Sequence, residues 1–411
     1  MTKFEQLLAQ HCPNGVEYIK LNTICEIYDG THQTPQYTDS GVKFVSVENI
    51  GVLYETTKYI SKEAYSKYKI KPQLNDVLMT RIGSIGVCAV VDRAEDLAYY
   101  VSLALLRPNQ NVLNSKYLKY VIESKHGRKE LYKRTLLNAV PIKVNMGDIG
   151  KIVVPVPPLS IQEEIVRVLD ELTEKTDKLM SELNAELEER KKQYEYFQNE
   201  LFANCEDMQY VDVPLCDVIV SLKTGLNPRK NFKLNTPDSC CPYITGKDIF
   251  NNKVNVTART DEITKDAVAL INKRACIETN DLLFASTGTG TVGRMAIVEG
   301  YKGDWSISES IYAIKVNKDV VLPKFLMYLL YTENVISQYK TKITKASVPH
   351  LKVADLLKVK ISIPSIKEQE KIIKMAEKFN STQNSLINNL MNEIESRKKQ
   401  YEYYRDELLT F

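Results

Sequence analysis

The chain has 411 residues, 44% of them hydrophobic, and a formal net charge of +3, so it can bury more than one core. No apolar run approaches the roughly 18 residues that a membrane crossing requires, and residues 1–8 carry neither a long apolar core nor a cleavage signal, so a cytoplasmic protein is expected. Eight cysteines without a CxxC pair and four scattered histidines signal neither a zinc site nor a disulfide framework, so no metal is expected.

In chain order, residues 1–156 read as a mixed α/β domain, with short apolar runs at 42–47, 76–80, 86–91 and 99–106 between turn residues. Residues 157–205 read as one long helix. Ile161, Ile165, Val168, Leu172, Thr176, Leu179, Leu183, Leu187, Arg190, Tyr194, Phe197 and Leu201 advance by threes and fours, about 3.64 residues per step. That lies between the 3.5 of a left-handed supercoil and the 3.67 of an 11-residue repeat, so little supercoiling is expected over a length of about 60 Å.

Residues 206–363 read as a second mixed α/β domain, with runs at 242–245, 281–285, 295–298 and 306–316. Gly30/Gly225, Asn75-Asp76/Asn280-Asp281, Gly86/Gly293 and Val140-Pro141/Val348-Pro349 recur in the same order, while the offset drifts as loops diverge on a retained scaffold. Residues 364–411 read as a second long helix. Its stripe is Ile372, Met375, Phe379, Gln383, Leu386, Leu390, Ile394, Arg397, Tyr401, Tyr404 and Leu408. Pro157-Pro158 and Pro364-Ser365 precede the helices, and Ser160-x-x-Glu163 and Ser365-x-x-Glu368 fit capping boxes.

The chain is a tandem duplication. RKKQYEY stands at 190–196 and at 397–403, an offset of 207 residues, and at that offset 157–202 aligns without a gap on 364–409 with 17 of 46 positions identical. An internal pseudo-twofold repeat suits a bipartite ligand. The helix stripes need a partner surface, and the other copy, packed antiparallel, is the obvious one. The expected interface comprises Ile165, Leu172, Leu179, Leu183 and Tyr194 with Ile372, Phe379, Leu386, Leu390 and Tyr401.

Charge separates along the chain: 157–205 is net −6 and 364–411 is neutral, which leaves +9 for the two mixed domains. A positive surplus confined to the globular parts fits contact with phosphate. Gly288-Thr289-Gly290-Thr291-Val292-Gly293 matches G-x-G-x-x-G, but a short β-branched run follows it rather than the helix that a pyrophosphate needs, and Arg294-Met295 breaks the P-loop pattern. The aligned Arg81–Gly86 stretch marks a glycine turn between strands. There is no Asn-Pro-Pro-aromatic or Asp-Pro-Pro-aromatic tetrapeptide, and no catalytic constellation can be assembled, so a non-enzyme is expected.

The ordered duplication resembles the specificity subunit of a type I restriction-modification enzyme over essentially the whole chain. The resemblance rests on Pro157-Pro158-Leu159-Ser160-Ile161-Gln162-Glu163-Glu164-Ile165 and Pro364-Ser365-Ile366-Lys367-Glu368-Gln369-Glu370-Lys371-Ile372, with Asp29-Gly30-Thr31-His32-Gln33-Thr34-Pro35 and the glycine turn at 80–86. It implies an α+β architecture of two target recognition domains, 1–156 and 206–363, separated by two long antiparallel coiled-coil-like helices, 157–205 and 364–411. Each domain would read half of a split DNA site, with the helices as the ruler between them. Two methylation subunits binding S-adenosylmethionine and restriction subunits using ATP and Mg would carry the chemistry, and this chain would hold no cofactor.

Base edges are told apart by paired polar side chains while Lys, Arg, Ser and Thr hold phosphate. Loop-like contexts beside glycine nominate Thr31, His32, Gln33, Thr80, Arg81, Ser84 and Lys143 in the first domain. In the second they nominate Lys223, Thr224, Asn227, Arg229, Lys230, Thr287, Thr289, Arg294, Ser347, His350 and Lys352. The rival readings are a self-sufficient methyltransferase or nuclease with diverged motifs, and a coiled-coil adaptor that binds no DNA.

Overall fold

The computed structural model describes residues 3–202 and 209–411. The chain divides into two compact units, one of residues 1–185 and 391–411 and the other of residues 186–390. The expected end of the first long helix at 205 lies outside the described residues.

In the first unit, β1 (Cys25–Asp29), β2 (Val42–Val45), β3 (Tyr59–Ile60), β4 (Val77–Thr80), β5 (Cys88–Val90), β6 (Leu97–Tyr99) and β7 (Leu103–Pro108) form two sheets. One is antiparallel in the order β1-β7-β4-β5, with Tyr28 opposite Leu105 and Val77 opposite Leu106. The other runs β3-β2-β6, with β2 and β6 parallel. β4 is buried along its whole length because both faces are covered, so it reads as a continuous apolar run rather than an alternating one. Helices α1 (Ser115–Glu123) and α2 (Lys125–Tyr132) follow, α1 capped by the Asn114 side chain. The long α3 (Leu159–Phe202) comes next.

The second unit repeats this plan with β8 (Ile219–Thr224), β9 (Cys241–Ile244), β10 (Asp261–Ile263), β11 (Leu282–Ala285), β12 (Met295–Ile297), β13 (Ser306–Ile307) and β14 (Ile311–Val316). The sheet orders are β8-β14-β11-β12 and β10-β9-β13, matching the first unit strand for strand. α4 (Pro323–Leu330), α5 (Glu333–Lys340) and the long α6 (Ile366–Leu408) complete it.

Several sequence expectations need correction. The runs at 99–106 and 306–316 are each two strands, because the chain switches sheets at Tyr100–Ser102 and Ser308–Ser310; an apolar run cannot register a change of partner. Ser160 lies inside α3, so it is not a cap. Ser365 does stand ahead of its helix, where Glu368 accepts from both its N–H and its hydroxyl at 3.1 and 2.7 Å. The Val140-Pro141/Val348-Pro349 landmark is one residue out: Gly83 N–H donates to the Ile142 carbonyl and the equivalent Gly288 N–H to that of Pro349.

The other landmarks have physical causes. Asn75 and Asn280 adopt φ of 71° and 76°, the left-handed region that asparagine tolerates. The carboxylates that follow them are buried and paired, Asp76 with Arg107 at 2.7 Å and Asp281 with Lys315 at 3.1 Å. A Cβ on Gly30 would meet the Tyr100 carbonyl at 2.4 Å, and one on Gly225 the Ile307 carbonyl at 1.7 Å.

Each long helix enters through a buried glutamine. Gln162 accepts from Asn114 N–H at 2.8 Å and donates to the carbonyls of Val112 and Pro157 at 2.8 and 2.7 Å. Gln369 repeats the arrangement with Leu322, Val320 and Pro364 at 2.8, 2.9 and 2.9 Å. The first unit's core joins Val77, Leu106, Tyr117, Val121, Ile161, Ile165 and Leu169 to Leu409, and Thr173 meets Tyr401 at 2.9 Å, so α3 and α6 run antiparallel there. In the second unit Phe202 joins a core containing Phe325, Ile372 and Ala376, while Phe197 and Tyr194 stack on Phe379 at 3.8 and 5.8 Å, which is again antiparallel. Of the remaining expected interface residues, Leu172 packs against the first core; Leu179, Leu183 and Leu390 are half-buried and Leu386 is exposed.

Candidate nucleic-acid interface

Three segments of the first unit converge at one edge of the sheets: the loop after β1, the glycine turn between β4 and β5, and the hairpin of Thr135–Leu136 with Lys143–Val144. Thr31 bridges to Tyr100 and Ile82 to Lys143, and Val144 N–H donates to the Arg81 carbonyl at 2.9 Å. His32, Gln33, Ser84 and Lys143 are exposed there, and Thr31 is half-buried. The hairpin also exposes Leu136, Leu137 and Val140.

Thr80 and Arg81 stand elsewhere than loop context suggested. Thr80 is fully buried and accepts from Val87 N–H at 3.0 Å. Arg81 is 6% exposed, with Nη2 3.0 Å from both oxygens of Asp29 and Nη1 donating to the Val144 carbonyl at 3.2 Å. Asp29 also meets His32 Nε2 at 2.9 Å and accepts from Gly30 N–H at 2.9 Å. The pair clamps the β1 loop to the glycine turn. Its guanidinium is committed inside the head.

In the second unit the equivalent places hold Thr224 and Ser286, with Ser286 donating to the Ser310 carbonyl at 3.0 Å. Thr287 bridges to His350, its hydroxyl 2.8 Å from Nδ1, and Thr224 accepts from Arg274 at 3.2 Å. Lys223, Arg229, Lys230, Thr289, Ser347 and Lys352 are exposed. Arg294 is half-buried and donates to the Ile249 carbonyl at 3.5 Å. It lines a cleft of about 880 Å³ with Lys191, Tyr194 and Tyr331, so it keeps company with the end of α3 rather than with Thr287 and His350.

Asn227 spends both ends of its amide internally. Its oxygen caps the short helix Pro228–Asn231 through Arg229 N–H at 2.9 Å, and its nitrogen donates to Glu309 at 2.6 Å. Glu309, exposed on the Ser308–Ser310 connection, escaped sequence reasoning because a single acidic residue between serines carries no periodic or motif signal.

Among the described residues there is no cluster of three or more metal-ligating side chains, and no helix is long and apolar enough to cross a membrane. The arrangement offers polar and basic side chains on paired loops, which suits binding to a surface of bases and phosphates.

Known proteins share the sequence and the fold. The chain is 30% identical over 272 residues to the type I restriction enzyme EcoR124I/EcoR124II specificity subunit of Escherichia coli, covering 64% of this chain and 63% of that protein. It is 31% identical over 291 residues to a protein of Haemophilus influenzae named as type I restriction enzyme specificity subunit S.HindORF215P, covering 66% of each. The matches therefore span just under two thirds of either relative. A solved chain from work on complex assembly and conformational transition of the type I R-M system has a TM-score of 0.74 at 17% identity, covering 97% of this chain and 98% of that one, a likeness of fold. The family model described as the type I restriction modification DNA specificity domain matches twice, over residues 13–189 and 208–396, and the chain belongs to that family.

Proposed function

We propose that this chain is the DNA-specificity subunit of a type I restriction-modification complex, each head reading one half of a bipartite site. The observation that carries the reading is the duplicated head, in which three loop segments converge at the same sheet edge twice and present different exposed side chains each time. Equivalent scaffolds with unlike loops suit two unlike half-sites.

Catalysis would reside elsewhere. Two methylation subunits would dock on the near-identical helix repeats, bind S-adenosylmethionine and modify an adenine in each half-site, and restriction subunits would supply ATP- and Mg-dependent cleavage in the cytoplasm. This chain would bind no cofactor and direct where the partners act. The acidic first helix suits protein contact, since its net −6 opposes phosphate.

The test is selection of bound duplexes from a random DNA library by the complex assembled with methylation subunits, at two salt concentrations. Enrichment of two short motifs at a fixed spacing supports the proposal, with affinity falling steeply with salt. Retention of DNA without any enriched sequence, or salt-insensitive assembly with no DNA bound, contradicts it.

A further inference from the structure

We propose that Glu309 is a specificity-determining residue of the second head, accepting a hydrogen bond from the exocyclic amino group of a cytosine or adenine in the major groove of its half-site. The inference rests on the DNA-reading function proposed above and adds the residue and the base chemistry it recognises.

The connection that carries Glu309 is pinned at both ends. Ser308 N–H donates to the Ile244 carbonyl at 2.9 Å, and the Ser310 carbonyl accepts from Ser286 N–H at 2.8 Å, one bond to each sheet. Gly225 lies against the same connection, so closely that any side chain there would collide with the Ile307 carbonyl. The backbone is therefore held while the Glu309 side chain stays exposed. Its carboxylate is aimed by Asn227 Nδ2 at 2.6 Å, while the Tyr243 hydroxyl, 3.2 Å from the other carboxylate oxygen, has the Leu226 carbonyl as its nearer acceptor at 2.7 Å. Burial, and then the Glu309 carboxylate itself, push the Tyr243 phenol up, so it stays protonated. Asn227 and Tyr243 are both neutral, so neither cancels the charge of the carboxylate.

An exposed, aimed negative charge opposes phosphate and accepts only from donors. The donors that a duplex offers in its major groove are cytosine N4 and adenine N6. In the first head the place of Glu309 is taken by Val101, since Tyr100 N–H bonds the Val45 carbonyl as Ser308 N–H bonds that of Ile244. This contact therefore belongs to one half-site only, and Asn227 is a positioning residue for it.

The experiment is methylome sequencing of hosts carrying the full complex with the wild-type chain or with Glu309→Gln, with the melting temperature of each purified complex measured in parallel. The expected result is that one position in one half-site, requiring cytosine or adenine in the wild type, loses about tenfold or more of its discrimination, while the other half-site and the spacing stay the same. An unchanged motif overturns the proposal, and so does an equal loss of methylation at every site. If Glu309→Gln lowers the melting temperature by several degrees, Glu309→Asp, which keeps the charge and shortens the reach, is read by the same two criteria. A wild-type complex that methylates no bipartite motif would instead refute the function on which this inference rests.

Discussion

Asp406 accepts a hydrogen bond at 2.9 Å from the backbone N–H of Lys125, the first residue of α2, and so caps a helix that lies 281 residues earlier in the chain. Asn199 does the same for Glu333 at the start of α5, at 2.8 Å. First-turn N–H groups have no partner within their own helix, so both caps fill a real vacancy. Each head is thus completed by the end of the helix that follows the other head. Asp406→Ala should destabilise the first unit by ~1 kcal/mol, and Asn199→Ala the second by a similar amount. Denaturant unfolding should show the two losses adding in the double variant; a loss in neither single variant would contradict the capping role.

The same exchange bears on truncation. A fragment ending at Phe202 lacks Leu409, which is buried in the first core, but carries Phe202, its counterpart at the 207-residue offset. Two such fragments can supply each other, so sedimentation should find a dimer that dissociates together with loss of helicity. A stable, fully helical monomer at micromolar concentration would show that the exchanged end is dispensable.

Gln162 and Gln369 tie head to helix. Gln162→Ala would strand the Asn114 N–H and the Val112 and Pro157 carbonyls in a buried site. The expected cost is ~2–4 kcal/mol, several times that of an exposed polar change. Gln369→Ala should act alike on the second unit, and thermal melting of the single and double variants measures both.

Arg81 and Arg229 separate framework from surface. Arg81→Ala removes a buried guanidinium from the half-buried Asp29, which keeps its contacts to Gly30 N–H and His32, and should cost ~1–3 kcal/mol in stability. Arg229→Ala, at an exposed position, should leave the melting temperature unchanged, weaken DNA binding equally across sequences and lower the salt slope by about 1. Filter binding of the complex over a salt series, alongside melting curves, distinguishes the two; matching effects of the two variants would contradict the assignment.

Much of this architecture was legible in the amino-acid order. The stripes through Ile165 and Ile372 marked both long helices, because a one-sided apolar face has a 3.6-residue signature that survives charged surroundings. Gln162 and Gln369 stood out as identical residues in aligned repeats, although their three-way bonding did not. Other features depend on partners distant in sequence. Arg81 looked like a loop residue beside glycine, and only the return of β1 to its side, 52 residues earlier, makes it the buried half of an ion pair. Leu386 belonged to the stripe by spacing but is exposed, since a stripe marks a face and not the extent of what covers it. Glu309 was invisible for the same reason: its meaning comes from Asn227 and Tyr243, 82 and 66 residues away.

The most direct test of the central claim is methylome sequencing of a host that carries the chain with its methylation subunits, compared with the same host lacking the chain. Adenine methylation is expected at a motif of two short specified segments separated by a fixed unspecified spacer, all of it lost on deletion. Methylation that persists without the chain, or a motif that is continuous rather than split, would contradict it.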